Sequence, residues 1–513
     1  MQHTPLSAAA PRVLVHVRGT LDAGAMRFWE RLRHALRERG LELMLTAHYW
    51  PEHPAGVPVL RARNGFAAVR DIPLDRGWTG WLPETAGFDP APYLEAERMW
   101  NGPPEDAAAE RRRLEAARFF WRFYGAALHT ARPVMTLIWN GHHPQEMILR
   151  DRCRACGCPV HFIERAPVHG AIQLDPGGIL GGTAIARSTG WAWNSVEEQR
   201  TWRHVAAEVA GRCVSSGQTW WEQPQSQGTA GLRRRLGIRE GQQVLLFAGQ
   251  VDRDTQNLLY SPHFGSTLEA FQWLCQRIPE DGSVYVLGKH HPMSNAAPEV
   301  YQAALGHRGT WTADLALEDA LGLADRVAAV NSTLLCEALM RAKPVLMLGQ
   351  GLLSGKGIAY AVTNPSGDEA AIHAWLQAAD FTERQERWQD FLAYLLAHCF
   401  FTMLPPEESG GQRGAAELAG YIAAHAAAPE ATDYTEVHPR HGFVDEVSLW
   451  DDWMERHKEH QGCKEVLRGF NIAARATLGR LSPRAYATLK HFADRAYARH
   501  GQSQAKQTKL ENR

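Results

Sequence analysis

Residues 284–292, Val-Tyr-Val-Leu-Gly-Lys-His-His-Pro, indicate the fold of this 513-residue chain more clearly than any other stretch. The short apolar, β-branched run predicts a buried parallel strand, and the proline ends it just after a lysine and two histidines. Open α/β sheets bind their ligands beyond the carboxyl ends of the strands. An ammonium and an imidazole at that place suit a phosphate-bearing ligand, because both can bind phosphate oxygens. The stretch therefore predicts a nucleotide-dependent enzyme.

Strands and helices alternate on both sides of a polar stretch at 214–241. This alternation predicts two α/β lobes with parallel, doubly wound sheets, because helices must cover the faces of such sheets. We expect an amino-terminal lobe at 1–230, a carboxyl-terminal lobe at 231–430 and a helical basic extension at 431–513. The predicted strands are 11–18, 41–46, 134–139, 160–163, 244–248, 284–287, 327–330 and 345–348, and the predicted helices are 25–39, 106–129, 144–153, 267–278 and 334–341.

Composition excludes several classes of protein. The formal net charge is −1, so there is no basic field that would favour nucleic acid. We find neither a signal peptide nor an apolar run of about 18 residues, and we expect a cytoplasmic protein without a spanning helix. The eight cysteines fit reduced thiols. Cys153, Cys156 and Cys158 lack a second cysteine or histidine pair at zinc-ribbon spacing, which favours a structural role over a metal site.

The carboxyl-terminal extension is basic, with eleven Lys and Arg against three Asp and Glu from Lys464 to Arg513. Two helices are predicted in the extension, at 446–457 and 479–500. A charge run of this kind is usually a solvated helix face. The alternative is peripheral docking of 464–513 to the anionic surface of the inner membrane.

Two acidic segments follow predicted strands, one in each lobe. Asp252 and Asp254 lie after strand 244–248, between Gln250 and Gln256, and their spacing directs them to opposite sides of an extended segment. A carboxylate there could act as a nucleophile on an anomeric carbon, as a general base, or only as a helix cap.

In the first lobe, Glu164 ends strand 160–163 and Asp175 lies in a predicted turn-rich loop at 173–178. Glu164 could deprotonate an acceptor hydroxyl, or form an internal ion pair with Arg165.

Two further segments offer groups to a nucleotide. Lys289, His290, His291 and Pro292 form the first, and a metal role for the histidines is disfavoured because adjacent side chains on a strand diverge. In the second, a strand passes into a helix, where backbone N–H groups can hold a phosphate or serve only as an ordinary helix start. The polar residues of this second segment are Asn331, Ser332, Thr333 and, one turn further on and within reach of a ribose hydroxyl, Glu337.

The glycine-rich stretch 349–357 superficially resembles a P-loop. Gln350 stands where the first glycine belongs, and Gly357 replaces the serine or threonine that would hold magnesium. We therefore exclude a P-loop kinase or ATPase and expect a flexible loop near the cleft.

Together these motifs resemble one family, the capsule polysaccharide biosynthesis (KpsS/KpsC-like) β-Kdo glycosyltransferases. They occur in the family's order over residues 130–365. The matching segments are Ile163-Glu-Arg-Ala-Pro, Ile172-Gln-Leu-Asp-Pro-Gly-Gly, Gln250-Val-Asp-Arg-Asp-Thr-Gln with Ser261-Pro, Lys289-His-His-Pro, and Val330-Asn-Ser-Thr with Lys343-Pro-Val and the Gly349 loop.

The resemblance implies a GT-B-like fold, with two Rossmann-type lobes facing a cleft, and CMP-Kdo as the donor substrate. It further implies retention of anomeric configuration, a lipid or glycan acceptor, and no metal or cofactor. Asp254 matches the family's catalytic aspartate, and Glu164 matches the acidic residue of its first lobe. The residues that match its nucleotide site are His291 and Pro292 at the cytidine, Lys289 nearby, and Asn331, Ser332 and Thr333 around the phosphate.

Two alternatives remain open at this point. The His-Pro motif alone also permits a transferase that uses another CMP-sugar or a UDP-sugar. The chain could instead be a non-catalytic scaffold for polysaccharide export, although such a scaffold has no need of both Asp254 and Glu164.

Overall fold

The structure is a computed structural model that describes residues 10–17, 23–47, 57, 59–61, 88–216, 224–294, 296–428 and 431–432. Its described part contains two sheets in which parallel pairing dominates, one of seven strands and one of six, with helices packed around them. The predicted α/β class with two Rossmann-type sheets is therefore confirmed.

The first sheet has the strand order β13-β6-β5-β4-β1-β2-β3. Strands β1 to β5 pair in parallel, whereas β6 runs antiparallel to β5, and β13 runs antiparallel to β6. The strands are β1 Arg12–Val17, β2 Glu42–Ala47, β3 Val59–Arg61, β4 Pro133–Trp139, β5 Val160–Arg165, β6 Ala171–Asp175 and β13 Phe400–Thr402.

The described helices that precede the second sheet are α1 Ala23–Arg37, α2 Ala91–Asn101, α3 Ala107–Ala131, α4 Pro144–Ala155, α5 Ala184–Arg187, α6 Val196–Ser216 and α7 Leu232–Arg235, with a 3₁₀ turn at Leu180–Gly182. Sequence explains their starts: Asp106 caps α3 by accepting a hydrogen bond from the Ala109 amide, and Pro144 opens α4 where its missing N–H costs nothing.

The second sheet is parallel throughout, with the order β12-β11-β10-β7-β8-β9. Its strands are β7 Gln243–Ala248, β8 Val284–Lys289, β9 Gly309–Thr312, β10 Arg326–Ala329, β11 Val345–Met347 and β12 Tyr360–Ala361. The later helices are α8 Thr255–Tyr260, α9 Thr267–Cys275, α10 Pro298–Leu305, α11 Leu317–Leu323, α12 Leu334–Met340, α13 Glu369–Gln377, α14 Phe381–His398, α15 Pro406–Ser409 and α16 Ala415–His425.

Strand β8 is buried along its whole length, as expected for a strand covered on both faces. Its neighbour β9 brings Trp311 into a stack with Tyr301 of α10, at 4.0 Å between ring centroids. Gly288 is required there, because a side chain at that position would collide with the Trp311 ring. The opening motif of the sequence is therefore a core strand whose last residue, Lys289, is itself buried.

The chain returns to the first sheet after the second one is complete. Strand β13 adds to the edge of β6, and α16 packs against α1. In the opposite direction, α6 packs against α14 and α12 of the second half. The predicted boundaries at residues 230 and 430 stay predictions, as do the helices at 446–457 and 479–500, which lie outside the described residues.

The stretch 173–178 was expected to be a loop, and that expectation is wrong for its first half. Residues 171–175 form β6, because Ile172 and Leu174 point into the core of the first lobe. The turn signals Pro176, Gly177 and Gly178 act only after the strand has ended. Among the described helices, none combines the length and the apolar character needed to cross a bilayer.

Candidate active site

Glu164 lies near the carboxyl end of β5 and is only partly buried. Its Oε1 accepts a hydrogen bond from the Arg165 amide at 2.9 Å, and its Oε2 accepts one from Asn140 Nδ2 at 3.1 Å. Burial raises the pKa of this carboxyl group, the two hydrogen bonds and the Arg165 charge oppose that rise, and the negative charge of Asp254 adds to it. Glu164 is thus a carboxylate with a raised pKa, which is the property expected of a general base.

Asp254 comes from the other lobe, in the loop between β7 and α8. It is exposed, and it caps α8 by accepting a hydrogen bond from the Gln256 amide at 2.9 Å. The structure therefore contains the helix cap that the sequence allowed at Asp254, and the capping carboxylate stays at the surface.

Asp252 and Asp254 diverge, as strand geometry predicts. Asp252 Oδ1 accepts from the Thr267 amide at 2.7 Å and so fixes the start of α9. Only Asp254 of the two acts on the pKa of Glu164. The structure therefore brings together the acidic pair predicted from the two lobes, and gives Asp252 a structural contact.

A network of amide side chains holds the Asp254 segment in place. Gln250 donates to Asn257 Oδ1 at 3.2 Å and to Asn331 Oδ1 at 3.0 Å, and it accepts from the Asn331 amide at 3.0 Å. Asn331 Nδ2 in turn donates to the carbonyls of Gln256 and Tyr260. These buried contacts commit Gln250 and Asn331 to other protein groups. Gln256 Oε1 accepts from Gly181 of the first lobe at 3.3 Å, which ties the lobes together.

Lys289 and His290 are turned into the protein. Lys289 is 5% exposed, and its Nζ donates to the carbonyls of His290 and Ala313, each at 3.2 Å. Burial lowers the pKa of Lys289 to about 8, against the opposing charge of Asp314. His290 Nδ1 accepts from Trp311 Nε1 at 3.1 Å.

His291 and Pro292 are more accessible, but the imidazole is not cationic. Burial, with the charges of Lys289 and His290, lowers the pKa of His291 to about 4, so the ring is neutral at neutral pH. Its Nδ1 accepts a hydrogen bond from the Met293 amide at 3.1 Å. Residues 289–291, expected to offer an ammonium and imidazoles to a phosphate, are therefore one buried ammonium and two neutral imidazoles, because the strand end is desolvated.

Ser332 and Thr333 line a small cavity of about 20 Å³ together with Gln256, whose buried Nε2 has no hydrogen-bond partner in the part of the chain that the structure describes. That volume holds a single water and not a phosphate in this conformation. Glu337 does not line this cavity. It lies near Cys213 of α6, whose pKa its charge raises, and burial raises the pKa of Glu337 itself to about 7.

A larger cleft of about 340 Å³ opens between the lobes. The expected loop at 349–357 forms one wall, but Lys356 in it is fixed: its Nζ donates to the carbonyls of Ala186, Ser188 and Ser354. Sequence reasoning missed the opposite wall, which a run of small and polar residues after the Asp-Pro-Gly-Gly turn could have indicated. The polar or charged residues that line the cleft are Arg187, Ser188, Thr189, His263, Gln350, Ser354 and Thr363.

Asp175 holds the loop that leads to the cleft wall formed by residues 186–189. It is buried, and its carboxylate accepts from the amides of Gly177 at 2.6 Å and Ala184 at 2.9 Å. Burial raises its pKa, and these hydrogen bonds oppose the rise. The contacts assign Asp175 to holding the loop that follows β6.

The cysteine cluster is buried and makes internal contacts. Cys153 Sγ lies 3.4 Å from Thr136 Oγ1, and Cys158 Sγ lies 3.2 Å from the Pro133 carbonyl oxygen. Within the described ranges, no group of three or more His, Cys, Asp or Glu side chains could hold a metal ion.

These features define a two-lobed α/β protein with an acidic pair at the junction of its lobes. Residues 199–402 match the sequence profile of the family described as "Capsule polysaccharide biosynthesis protein", which confirms the predicted resemblance over that stretch. No curated protein matches the chain.

Among solved structures, the chain is similar to Thermosulfurimonas dismutans KpsC, beta Kdo 2,7 transferase, with 16% identity and a TM-score of 0.36, over 59% of this chain and 89% of that one. It is also similar to the KpsC beta Kdo 2,4 transferase of the same organism, with 14% identity and a TM-score of 0.37, over 57% of this chain and 87% of that one. A calicheamicin glycosyltransferase has 13% identity and a TM-score of 0.32, over 81% of this chain and 98% of that one.

Proposed function

We propose that this protein is a glycosyltransferase of capsule or surface polysaccharide biosynthesis, which transfers Kdo from CMP-Kdo to a lipid or glycan acceptor with retention of configuration. The observation that carries the proposal is the acidic pair: Glu164 and Asp254 come from different lobes, and Asn140 Nδ2 joins their segments by donating to Glu164 Oε2 at 3.1 Å and to Oγ1 of Thr255, the residue after Asp254, at 3.3 Å. The family match over 199–402 supports the class of reaction. The choice of CMP-Kdo as donor follows from the resemblance of the motifs.

The reaction would proceed by two displacements. In the first, a carboxylate oxygen of Asp254 attacks the anomeric carbon of Kdo, the bond from that carbon to the phosphate oxygen breaks, and CMP leaves with the electron pair. In the second, an acceptor hydroxyl attacks the same carbon, the bond to Asp254 breaks, and Glu164 takes the hydroxyl proton. Two inversions give net retention. Exposure of Asp254 and the raised pKa of Glu164 both suit these roles.

Burial divides the predicted nucleotide-binding residues other than Glu337, which does not line the cavity beside Ser332, into two groups. We propose that His291, Pro292, Ser332 and Thr333 contact CMP, since all four are at least partly exposed. Lys289 and Asn331, which are buried, would hold the strand ends that carry these contacts. A neutral imidazole at 291 would then act through hydrogen bonds and not through charge. The phosphate would require the small cavity beside Ser332 to open when the donor binds.

We also propose an acceptor site and a place of action. The larger cleft is lined by residues 186–189 and 349–355 and could admit a sugar or a lipid-linked head group. We propose a cytoplasmic enzyme that can act at the inner-membrane surface through the basic extension 464–513, a segment outside the described residues. No cofactor is required by the two displacements, which use only the nucleotide-sugar.

A donor panel tests the proposal. The full chain is incubated with CMP-Kdo, CMP-sialic acid or UDP-sugars, with candidate lipid and glycan acceptors, and products are followed by mass spectrometry. We expect transfer from CMP-Kdo alone, and loss of transfer in Asp254→Asn. Transfer from another donor would replace the proposed substrate. Polysaccharide binding without turnover of any donor would favour the export scaffold.

A further inference from the structure

Asn140, the residue after β4, has every polar atom of its side chain engaged. Its Nδ2 donates to Glu164 Oε2 at 3.1 Å and to Thr255 Oγ1 at 3.3 Å, and its Oδ1 accepts from the His142 amide at 3.2 Å. The two acceptors and the one donor around it fix which end of the amide is nitrogen. Asn140 is 8% exposed, so these bonds form away from water.

The backbone at this position also selects asparagine. Asn140 has φ 67°, in the left-handed region that asparagine tolerates better than most residues. The next residue, Gly141, has φ 88°, and a side chain there would collide with Phe162 of β5. The backbone N–H of Asn140 donates to the Ile163 carbonyl at 2.9 Å, which fixes this turn to the strand that carries Glu164. The turn therefore aims the side-chain amide with little freedom.

The bond to Thr255 crosses from one lobe to the other. Thr255 is the first residue of α8 and directly follows Asp254, and it is 4% exposed. One amide group thus contacts the base of the first lobe and the segment that carries the nucleophile of the second. Neither the motifs nor the family match assigns a role to Asn140.

We propose that Asn140 is a positioning residue for glycosyl transfer: its amide orients Glu164 and couples that orientation to the seating of the Asp254 segment when the lobes close. This inference rests on the function proposed above. The acceptor proton must pass to a carboxylate held in one place, and a side chain bonded on both sides supplies that restraint.

Asn140 also affects the ionisation of Glu164. Burial and the Asp254 charge raise the pKa of Glu164. The backbone amide and charge of Arg165 and the side-chain amide of Asn140 lower it. Loss of the Asn140 donor should therefore raise the pKa of Glu164 further. A base must be ionised to act, so the acidic limb of the kcat/KM profile should move to higher pH.

The test compares Asn140→Asp and Asn140→Gly with the wild-type full chain. Aspartate keeps the shape, tolerates the positive φ and still accepts from His142, but presents an oxygen to Glu164. Glycine suits the backbone and removes the amide altogether. We expect both to lower kcat by about 10- to 100-fold, to move the acidic limb up by about one pH unit, and to leave CMP affinity within about threefold. The added charge of aspartate raises the pKa of Glu164 by itself, so an unchanged pH profile in Asn140→Gly would overturn the proposal.

Thr255 provides the cross-lobe control. Thr255→Val removes the hydroxyl at nearly constant volume, and Thr255→Ser keeps it. We expect the valine variant to lose kcat by about threefold to tenfold without a change in the pH profile, and the serine variant to match wild type within about twofold. Equal behaviour of both variants would contradict the coupling between lobes.

A measurement that needs no turnover separates this proposal from the proposed function. Infrared difference spectra between wild type and Glu164→Gln report the titration of the Glu164 carboxyl group, and the same difference is recorded in the Asn140→Gly background, which removes the donor without adding a second carboxyl group. A titration midpoint moved upward by about one pH unit supports Asn140 even if the donor panel fails. An unmoved midpoint overturns the role of Asn140 even if CMP-Kdo is turned over.

Discussion

At the end of β5, Glu164 remains partly exposed beside the charge of the opposite lobe, whereas at the end of β8, Lys289 is 5% exposed and bonded to two carbonyls. Both are ionisable residues at the carboxyl edge of a parallel strand, where ligands usually bind. The difference lies in what surrounds them. A hydrogen-bonded but accessible carboxylate can do chemistry, while a desolvated ammonium that already has two acceptors mainly stabilises its own strand end.

The comparison extends to their neighbours. Asp254 caps a helix and stays exposed, so capping and catalysis are compatible there. His290 is bonded to Trp311 and packs among aromatic rings. A polar group at a strand end is therefore a good candidate for a catalytic role only when its existing contacts leave it reachable by substrate.

The largest expected effect is that of Asp254→Asn. Asparagine can still cap α8, so the fold should persist, but it cannot act as the nucleophile. We expect transfer to fall by about 10⁴-fold or more, with CMP affinity within about threefold by calorimetry.

Asp252→Asn is the matched control, because the Asp252 carboxylate is engaged by the Thr267 amide at the start of α9. It should keep transfer within about threefold of wild type. If the two variants lost activity equally, the distinction between the aspartates would be lost.

Glu164→Gln should reduce kcat by about 10²- to 10³-fold, because glutamine cannot accept the acceptor proton. In wild type, burial raises the pKa of Glu164, so activity should fall as pH drops through that raised pKa, and this limb should vanish in the variant. The native state takes up the proton more readily than the unfolded chain. The contribution of Glu164 to the unfolding free energy should therefore decrease as pH rises from 4.5, the ordinary value, to the raised pKa. A wild-type profile without an acidic limb would remove Glu164 from this role.

Lys289→Met tests the other strand end. We expect the unfolding free energy to fall by about 1 kcal/mol, because two hydrogen bonds are lost but the cost of burying a charge is removed. CMP affinity should stay within about threefold of wild type. The pKa of Lys289 is about 8 in the fold against 10.5 ordinarily, so the unfolded chain binds the proton more readily between these values. The contribution of Lys289 to the unfolding free energy should therefore rise with pH across that window.

Lys356 has the same lowered pKa and contributes in the same direction, whereas buried cysteines with raised pKa values, such as Cys275 and Cys399, contribute in the opposite direction. Lys289→Met should therefore make the slope of unfolding free energy against pH less positive than in wild type, as measured by chemical denaturation from about pH 8 to pH 10. A tenfold or greater loss of CMP affinity with unchanged stability would instead return Lys289 to the nucleotide site.

The smallest effect is expected from metal removal. Burial raises the pKa of the Cys153 thiol, and the cysteine cluster bonds to Thr136 and to the Pro133 carbonyl. Neutral, occupied thiols are poor metal ligands. Exhaustive dialysis against a chelator should leave transfer within about twofold, with no zinc found by elemental analysis. Inactivation that added zinc reverses would contradict this.

Most of the fold could be predicted, because the apolar runs of strands such as β4, β7 and β8 are strong local signals. β13 could not be. Its three residues pair with β6, more than two hundred positions earlier in the chain, and no local pattern encodes that pairing. β6 was missed because it has only five residues and is followed directly by the turn residues Pro176, Gly177 and Gly178.

The site was predictable to the extent that strand ends dictate it. Glu164 and Asp254 both follow buried strands, and the structure brings them together. The direction of Lys289 was not predictable, since it depends on the Ala313 carbonyl supplied by the segment after β9. Asn140 was missed, although an asparagine followed by glycine at the end of a strand is a recognised signal for a left-handed turn.

The central claim is that Asp254 carries the sugar during transfer, and it is tested most directly by trapping that species. Glu164→Gln should slow the second displacement, so the variant is mixed with CMP-Kdo, quenched in acid and examined by intact and peptide mass spectrometry. We predict a mass increase of one Kdo residue on the peptide that contains Asp254, and its absence when Asp254→Asn is added. Product formation by the wild type with Asp254 unmodified in every trapping condition, or undiminished turnover by Asp254→Asn, would contradict the account.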